Sequence, residues 1–347
     1  MTFRVYASLL VLCFCLRPAE VQSQNAPIPQ VDDEFLPTLE LPTFSPDPAS
    51  MVELPTVPGA SQKGGANTEI PLLLTPGRQD MKPSLSISYQ SNGGNGWLGA
   101  GWDLSVPSIN IDTRWGVPRY DAQFESETYL WRGQQMAPVA HRGPRRERTE
   151  NLTFHLRQTD VLSRITRHGD SPQTYWWEIN FPDGSSEYYG GTPGTGAISE
   201  ATLDGPGGAK IKWALVKEVD IYGNCIDYHY SRQADPGRLG SNEMGHALYL
   251  DYITYTGYEN QEGPYRVDFI RDRELGESRR PDVRMDNRMG VKMVEPDLLR
   301  RIEHSYDEQS IRSWELSYIT GAFSQSLLES VMVYDQEGAE FYDYRFD

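Results

Sequence analysis

Cysteine is scarce in this sequence, and its scarcity excludes a fold stabilised by disulfides. The chain has 347 residues and three cysteines, of which Cys13 and Cys15 lie in an N-terminal apolar run. Only Cys225 remains once that run is removed as a secretory signal, so no intramolecular disulfide can form. A packed core has to stabilise the protein instead.

Helical spacing of apolar residues is also missing, which argues against a helical fold. No stretch keeps such spacing for more than about three turns. Tyrosine (20 residues), glycine (31) and proline (24) are plentiful, as expected of strands joined by turns. Composition and length therefore favour one large all-β unit over two domains.

Residues 1–23 have the pattern of a cleavable Sec-type signal peptide. Arg4 precedes an apolar run, residues 5–16, which is too short to span a bilayer. Small or β-branched residues then come before a predicted cut after Ser23. We therefore expect a secreted protein, extracellular or periplasmic, without a transmembrane segment.

Positive charge is in deficit along the chain. Lys and Arg number 32 against 49 Asp and Glu, which gives a formal net charge of −17. Cleavage after Ser23 removes Arg4, Arg17 and Glu20 and takes the charge to about −18. Since binding to a phosphate backbone depends on clustered Lys and Arg, this charge argues against a nucleic-acid partner.

Recognisable catalytic and metal-binding motifs are lacking as well. No Gly-x-Ser-x-Gly elbow is present, Cys225 has no second thiol, and no two histidines form an H-x-x-x-H pair. The six histidines are His141, His155, His168, His229, His246 and His304. The glycine-rich stretch 93–101 lacks the Lys-Ser/Thr of a phosphate-binding loop, and Leu98 replaces the aspartate of a calcium-binding repeat. We predict no catalytic, cofactor or metal site, although two carboxylates brought together by the fold would be invisible here.

Residues 24–60 have the composition of a disordered linker. They contain eight prolines, six acidic residues and no Lys or Arg. Such a segment buries too little apolar surface to fold alone. The folded domain is therefore expected to span residues 61–347.

Residues 83–109 contain the clearest strand patterns. Apolar and polar side chains alternate over residues 85–89, as in a strand buried on one face. The glycines of residues 93–96 are expected to supply positive φ angles in a turn. Trp97 and Trp102 follow, spaced by further glycines, so large rings must pack where the backbone has no side chains. The pattern favours a scaffold over a site of chemistry.

Turn residues separate many further predicted strands. They are placed at residues 68–74, 175–181, 187–189, 212–219, 226–230, 248–255, 265–270, 314–319, 330–334 and 340–346. Pro-Asp-Gly at residues 182–184 predicts a hairpin, and the turns at 220–224 and 335–338 form a weak repeat. We expect a large curved antiparallel sheet built from successive hairpins. We also expect it to be incomplete at its C-terminal edge, where a partner or more chain would pair with it.

Glu125 and Glu127 form an E-x-E pair, a spacing that some mono-ADP-ribosyltransferases use to position NAD and polarise the acceptor. Acidic chains contain such pairs often, and the supporting Ser-Thr-Ser strand is absent upstream. A structural role is therefore favoured over catalysis.

Trp176 and Trp177 are neighbours in a predicted strand, so they point to opposite faces. One is expected in the core, and the other either covers a second sheet or offers a stacking platform for a sugar. The basic run at residues 142–148 is interpreted as a solvated loop, or as a contact for an acidic partner. Asn151 begins a glycosylation sequon by spacing alone.

Motifs in several parts of the chain match one known pattern. They are GANTEIPL (65–72), PSLSISY (83–89), GNGWLGAGWDLSVPSI (94–109), GVPRYD (116–121), LDYITYTG (250–257) and LLRRIE (298–303). Over roughly residues 61–347 the chain resembles the SpvB-type N-terminal domain, which is shared with the B components of insecticidal toxin complexes and is related to Rhs/YD-repeat shell proteins.

This resemblance implies a wall segment of a hollow β-shell, which in the toxin complexes encloses a toxic C-terminal domain together with a C component. No ADP-ribosyltransferase domain, Rhs-type continuation or β-propeller insert is recognisable, so the chain is either a fragment or a short secreted relative. We expect a secreted, non-enzymatic virulence module that encloses or docks a partner or a C-terminal toxin domain. The expected partner is a C-component-like Rhs protein or further C-terminal chain. The alternative is a cell-surface module that binds carbohydrate or protein.

Overall fold

Strands make up most of the computed structural model, which describes residues 59–60, 64–138, 146–157, 162–238, 240–259 and 261–346. The strands are β1 (Gly59–Ala60), β2 (Ala66–Pro71), β3 (Ser86–Gln90), β4 (Asn95–Gly96), β5 (Gly99–Ala100), β6 (Trp102–Leu104), β7 (Ser108–Ile111), β8 (Tyr129–Trp131), β9 (Gln134–Pro138), β10 (Leu152–Leu156), β11 (Arg164–His168), β12 (Trp176–Asn180), β13 (Ser186–Tyr189), β14 (Gly191–Thr192), β15 (Gly196–Ala197), β16 (Thr202–Asp204), β17 (Lys210–Val219), β18 (Asn224–Asp235), β19 (Gly245–Tyr258), β20 (Tyr265–Arg271), β21 (Arg284–Asp286), β22 (Met293–Glu295), β23 (Leu299–Tyr306), β24 (Gln309–Thr320), β25 (Ser326–Tyr334) and β26 (Glu340–Arg345). Single 3₁₀ turns occur at Arg78–Asp80, Ser199–Ala201, Pro206–Gly208 and Ala322–Ser324. Within these ranges, no helix has the length and apolar character needed to cross a bilayer. The predicted all-β fold is confirmed.

A closed barrel forms the first part of the main sheet. Strands β7 to β13 each pair with the next in antiparallel order. β17 closes the ring because Glu218 pairs with Glu187 of β13 and Trp213 pairs with Ile109 of β7. The closure joins strands far apart in sequence, so local alternation does not reveal it.

An open sheet continues from the barrel. β17 also pairs with β18, and the order then runs β19, β20, β23, β24, β25 and β26, with antiparallel pairing at every step. Most of these steps are hairpins, as the sequence predicted. The main sheet is therefore closed into a barrel at its first strands and open at β26, its last strand.

A smaller sheet, in the order β1-β2-β3-β6, packs on the open part of the main sheet. Tyr255 Oη donates to the Thr75 carbonyl at 2.8 Å, and the Leu299 amide donates to the Trp97 carbonyl at 2.7 Å. These bonds fix the segments that follow β2 and β4 against β19 and β23. Apolar side chains from both sheets form one continuous core.

The barrel interior is filled by aromatic side chains. Trp177 and Trp213 are fully buried, and the Trp177 ring centroid lies 4.8 Å from that of Tyr129 and 5.1 Å from that of Phe154. Side chains of this size fill the interior of a barrel of about eight strands. The barrel is a packed core and not a channel.

Turn chemistry explains several of the hairpins. Asp183 Oδ1 accepts the Ser185 amide at 2.9 Å in the predicted Pro-Asp-Gly turn between β12 and β13. Asp220 accepts the Tyr222 and Asn224 amides, and Asp335 accepts amides at the same offsets in its own turn. The two similar segments noticed in the sequence therefore make the same turn.

The glycine loop between β3 and β6 differs in detail from its prediction. Positive φ angles occur at Gly99 (86°) and Gly101 (80°), and not at the three glycines of residues 93–96. Gly93 is needed for another reason, since a Cβ there would lie 2.8 Å from the Gln90 carbonyl oxygen. The expectation was wrong because a composition rich in glycine does not separate close approach from left-handed backbone.

The predicted signal peptide, residues 1–23 with its cut after Ser23, lies outside the described residues. So does the predicted linker, residues 24–60, except for Gly59–Ala60, which form β1 and pair with Ala66 and Asn67 of β2.

Candidate functional site

The E-x-E pair lies in a buried ionic cluster near one end of the barrel. Glu125 accepts two hydrogen bonds from Arg167, at 2.5 and 2.7 Å, and one from Arg148 at 3.3 Å. Glu127 accepts from Arg148 at 2.6 Å. The Arg167 side chain is fully buried, and its guanidinium carbon lies 3.7 Å from the centroid of the Tyr175 ring.

Both glutamates are therefore neutralised by arginines of the same domain. Burial opposes the charge of Arg167, but the hydrogen bonds that it donates to Glu125, together with the negative charge of Glu125, outweigh burial and raise the pKa of the guanidinium. Carboxylates held in this way are not free to position a nucleotide or polarise an acceptor, so the favoured structural role agrees with the geometry. Arg148 was predicted in a solvated loop, yet its side chain is only 3% exposed because it pairs with both glutamates. Residues 142–145 lie outside the described residues.

The glycine loop is held by hydrogen bonds from residues that are distant from it in the sequence. Arg280 donates to the Gly96 carbonyl at 2.6 Å and to the Asn95 side chain, and its Nε lies 2.9 Å from Asp282. Asp282 also accepts from the Ser326 amide and hydroxyl. Burial alone would raise the pKa of Asp282, but these hydrogen bonds lower it well below its usual range. The loop therefore has a structural role, as the sequence indicated.

The adjacent tryptophans point to opposite faces, as predicted. Trp177 is fully buried in the barrel, while Trp176 lies outside it and stacks on the His168 ring at 4.1 Å. His168 Nε2 is 2.9 Å from Glu178, and its Nδ1 is 3.0 Å from the Asn151 side chain. A sugar platform on Trp177 is excluded by burial, and the face of Trp176 is already partly covered by the imidazole.

Among the described residues, the remaining histidines and the cysteine do not form a cluster. Within the described ranges, no three His, Cys, Asp or Glu side chains are placed to hold a metal ion. His304 is buried against Tyr255, 2.7 Å from its hydroxyl, and burial lowers its pKa to about 4. Cys225 is buried, and burial raises the pKa of its thiol to about 11. His141 lies outside the described residues.

Two glutamates that the sequence did not single out lie side by side on adjacent strands of the barrel wall. Glu187 and Glu218 are register partners on β13 and β17 and line a pocket of about 510 Å³. Glu187 accepts from Arg132 at 2.6 Å and from Tyr189 at 2.5 Å, and Glu218 accepts from the Tyr228 hydroxyl. Burial raises the pKa of both carboxyls, and the charge of Glu187 adds to the effect on Glu218. This is the kind of carboxylate pair that only the fold could reveal, because pairing between β13 and β17 creates it.

The last strand offers a sheet edge. β26 pairs with β25 on one side, and no described strand pairs with its other side. Phe346 donates its backbone N–H to the Glu329 carbonyl of β25 at 2.9 Å. Backbone groups alternate along an antiparallel ladder, so the N–H groups of Asp343 and Arg345 point away from β25. Their side chains form an ion pair, a common feature of edges protected from indiscriminate pairing.

A closed barrel continued by an open antiparallel sheet, with a smaller sheet packed on it, defines the class as a large all-β domain. The chain belongs to the SpvB family, described as Salmonella virulence plasmid 65kDa B protein, whose model matches residues 60–269. The resemblance stated from the sequence is thereby confirmed.

Curated relatives are similar over part of their length. Mono(ADP-ribosyl)transferase SpvB of Salmonella choleraesuis (strain SC-B67) is 25% identical over 236 residues, which cover 61% of this chain and 39% of that protein. The protein of the same name from Salmonella enteritidis is 25% identical over 209 residues, 55% of this chain and 35% of that protein. The chain thus spans about two fifths of the length of the relatives it matches.

Solved structures share the fold. The TcdB2-TccC3-TEV crystal structure superposes with a TM-score of 0.66 at 20% identity, over 82% of this chain and 16% of that chain. The N-terminal domain of effector protein SpvB from Salmonella typhimurium strain LT2 gives 0.62 at 19% identity, over 77% of this chain and 98% of that chain.

The expectation that the protein is not an enzyme is contradicted by the relatives, which are named mono(ADP-ribosyl)transferases. The inference failed because it rested on catalytic motifs missing from this chain. A missing motif does not exclude an activity that the family includes.

Proposed function

We propose that this chain is a wall module of a toxin-complex-like shell, which encloses or docks a partner along β26. The observation that carries the proposal is the single sheet that is closed at the barrel and open at β26, where the N–H groups of Asp343 and Arg345 point outward. The likeness to a TcdB2-TccC3 complex supports a partner of the C-component type. A further stretch of chain that follows β26 would fit the same edge.

Strand addition fits the local structure of this edge. Tyr344 is buried on the inner face of β26, and Phe346 packs on Trp102 with ring centroids 4.5 Å apart. β26 is therefore held against β25 by its own packing, and an added strand would gain main-chain hydrogen bonds without reordering it.

Replacing Asp343 by proline tests the edge. Proline removes an outward N–H and sets its ring against an incoming strand, while the inward ladder to β25 stays intact. We expect a loss of about 1–3 kcal/mol in binding, because the partner strand is left with an unsatisfied carbonyl, which is roughly a five- to hundredfold weaker affinity for a C-component-like protein. Light scattering after size-exclusion chromatography of the co-expressed pair, with titration calorimetry, measures it.

Asp343→Asn is the matched control, since it removes the charge and keeps the backbone donor. It should bind like the wild type. Two results would contradict docking at β26. One is a proline variant that binds as tightly as the wild type, and the other is a wild-type chain that stays monomeric when it is co-expressed with such a protein.

We also propose export through residues 1–23. Arg4, the apolar run that follows it and the small or β-branched residues before the predicted cut after Ser23 support this. N-terminal sequencing of protein recovered from the periplasm or medium of the expressing cell should begin at Gln24. Recovery only from the cytoplasm, with Met1 retained, would contradict it.

A further inference from the structure

A cleft beneath the glycine loop brings together polar groups from separate strands. It lies between β6 of the small sheet and strands β17 and β19 of the main sheet. Its main chamber is about 410 Å³, and a side chamber of about 160 Å³ shares Trp97, Asp103, Lys212 and Leu248 with it. The main chamber alone is within the range of about 300–1,000 Å³ found for small-molecule sites.

Two of the polar groups lack partners among the described residues, and a third is only partly satisfied. The hydroxyl of Tyr230, in the side chamber, is buried without a hydrogen bond to any described residue. The Lys212 ammonium makes no hydrogen bond or ion pair within the same set of residues. Asp103 uses one carboxylate oxygen to accept the Leu104 amide at 2.9 Å, and its other oxygen is unoccupied by any of them. A buried hydroxyl is normally hydrogen-bonded, so Tyr230 calls for a polar partner. Lys212 is half-buried and Asp103 is exposed, and both line the same space and can bind the same occupant.

The charges of the cleft narrow down what that occupant can be. Asp103 and Lys212 face the same space without touching, and across the chamber Arg284 is paired with Glu295 at 3.3 Å. An anionic ligand would meet Asp103, a cationic ligand would meet Lys212, and an apolar ligand would leave all the polar groups without partners. Water reaches Asp103 although protein surrounds much of it, and this partial burial raises the pKa of its carboxyl.

A neutral ligand with many hydroxyls satisfies every group. A hydroxyl donates to a carboxylate and accepts from an ammonium or a phenol, and the half-buried Trp97 ring supplies the apolar surface that a sugar ring prefers. Gln90 adds an amide to the same wall. We propose that the cleft binds a neutral saccharide, with its hydroxyls bridging Asp103, Lys212 and Tyr230. This site is separate from Trp176 and Trp177, which were the sugar-stacking candidates in the sequence.

A printed array of neutral and acidic oligosaccharides is the first probe, followed by titration calorimetry of the best binder with the whole chain. We expect a neutral glycan to bind, and Asp103→Asn or Lys212→Gln to weaken it about tenfold or more, since each removes a charged hydrogen-bonding partner. Tyr230→Phe should weaken it less. Glu337→Gln, in the exposed turn before β26, is the control and should bind like the wild type.

Thermal unfolding of each variant separates loss of binding from loss of fold. The proposal is overturned if no neutral glycan binds, if the three cleft variants bind as the wild type does, or if free amino acids or dipeptides occupy the cleft in place of glycans. None of these results bears on docking at β26, since that strand does not line the cleft.

Discussion

Glu125→Gln is expected to lower the free energy of unfolding by about 3–5 kcal/mol, because it leaves a buried arginine without its countercharge. Arg167 is fully buried, and Glu125 meets it with two hydrogen bonds of 2.5 and 2.7 Å. Glutamine has nearly the same shape, so the effect isolates the charge. Arg148 loses the charge of Glu125, 3.3 Å away, but keeps Glu127, so most of the damage should fall on Arg167. Urea unfolding followed by circular dichroism gives the value.

A double variant supplies the control for this prediction. Replacing Glu125 by leucine and Arg167 by methionine removes both charges and should cost much less than Glu125→Gln alone, since well-packed apolar residues can replace a buried ion pair. A single variant that loses under about 1 kcal/mol would show that the cluster is not buried as described. A double variant as unstable as the single would show that packing, and not charge, is decisive.

Many strands of the main sheet, although not β8 to β11 or β23, could be predicted because their signals are local. Alternation over residues 212–219 and Pro-Asp-Gly at 182–184 each depend on neighbouring residues, and both features are present as predicted. The same alternation is compatible with an open sheet and with a closed barrel, so it does not distinguish them. The closure of the barrel, in which Trp213 pairs with Ile109, has no local signal.

The sites could be predicted less well than the strands, since they depend on contacts between distant segments. The sequence showed that Glu125 and Glu127 are neighbours but not that Arg148 and Arg167 would neutralise them. It gave no hint of the register that sets Glu187 against a second glutamate of β17. Carboxylates are common in so acidic a chain, and only the fold decides which of them meet.

Closure of the barrel has an energetic consequence that the open sheet does not share. Inside a ring of strands a side chain is surrounded on all sides, so neighbours cannot easily move in to fill a gap. Large-to-small substitutions are most costly where the surroundings cannot collapse. The aromatic cluster around Trp177 should therefore be the most sensitive part of the core.

Trp177→Ala is accordingly expected to lower the free energy of unfolding by about 3–5 kcal/mol, through lost burial and the cavity left inside the ring. Trp177 is fully buried against Tyr129, Phe154 and Trp213. Trp176→Ala is the matched control, since the neighbouring half-buried ring loses only its stacking on His168 and should cost about 1 kcal/mol.

Trp177→Phe adds a second comparison at the same position. The indole N–H of Trp177 has no hydrogen-bond partner among the described residues, so phenylalanine removes an unsatisfied donor together with part of the ring. It should therefore be far less destabilising than alanine. Chemical unfolding of the three variants gives their order. Equal losses for Trp176→Ala and Trp177→Ala would contradict the assignment of one ring to the barrel interior and the other to its outer face, because only an enclosed ring leaves a cavity that the wall cannot close.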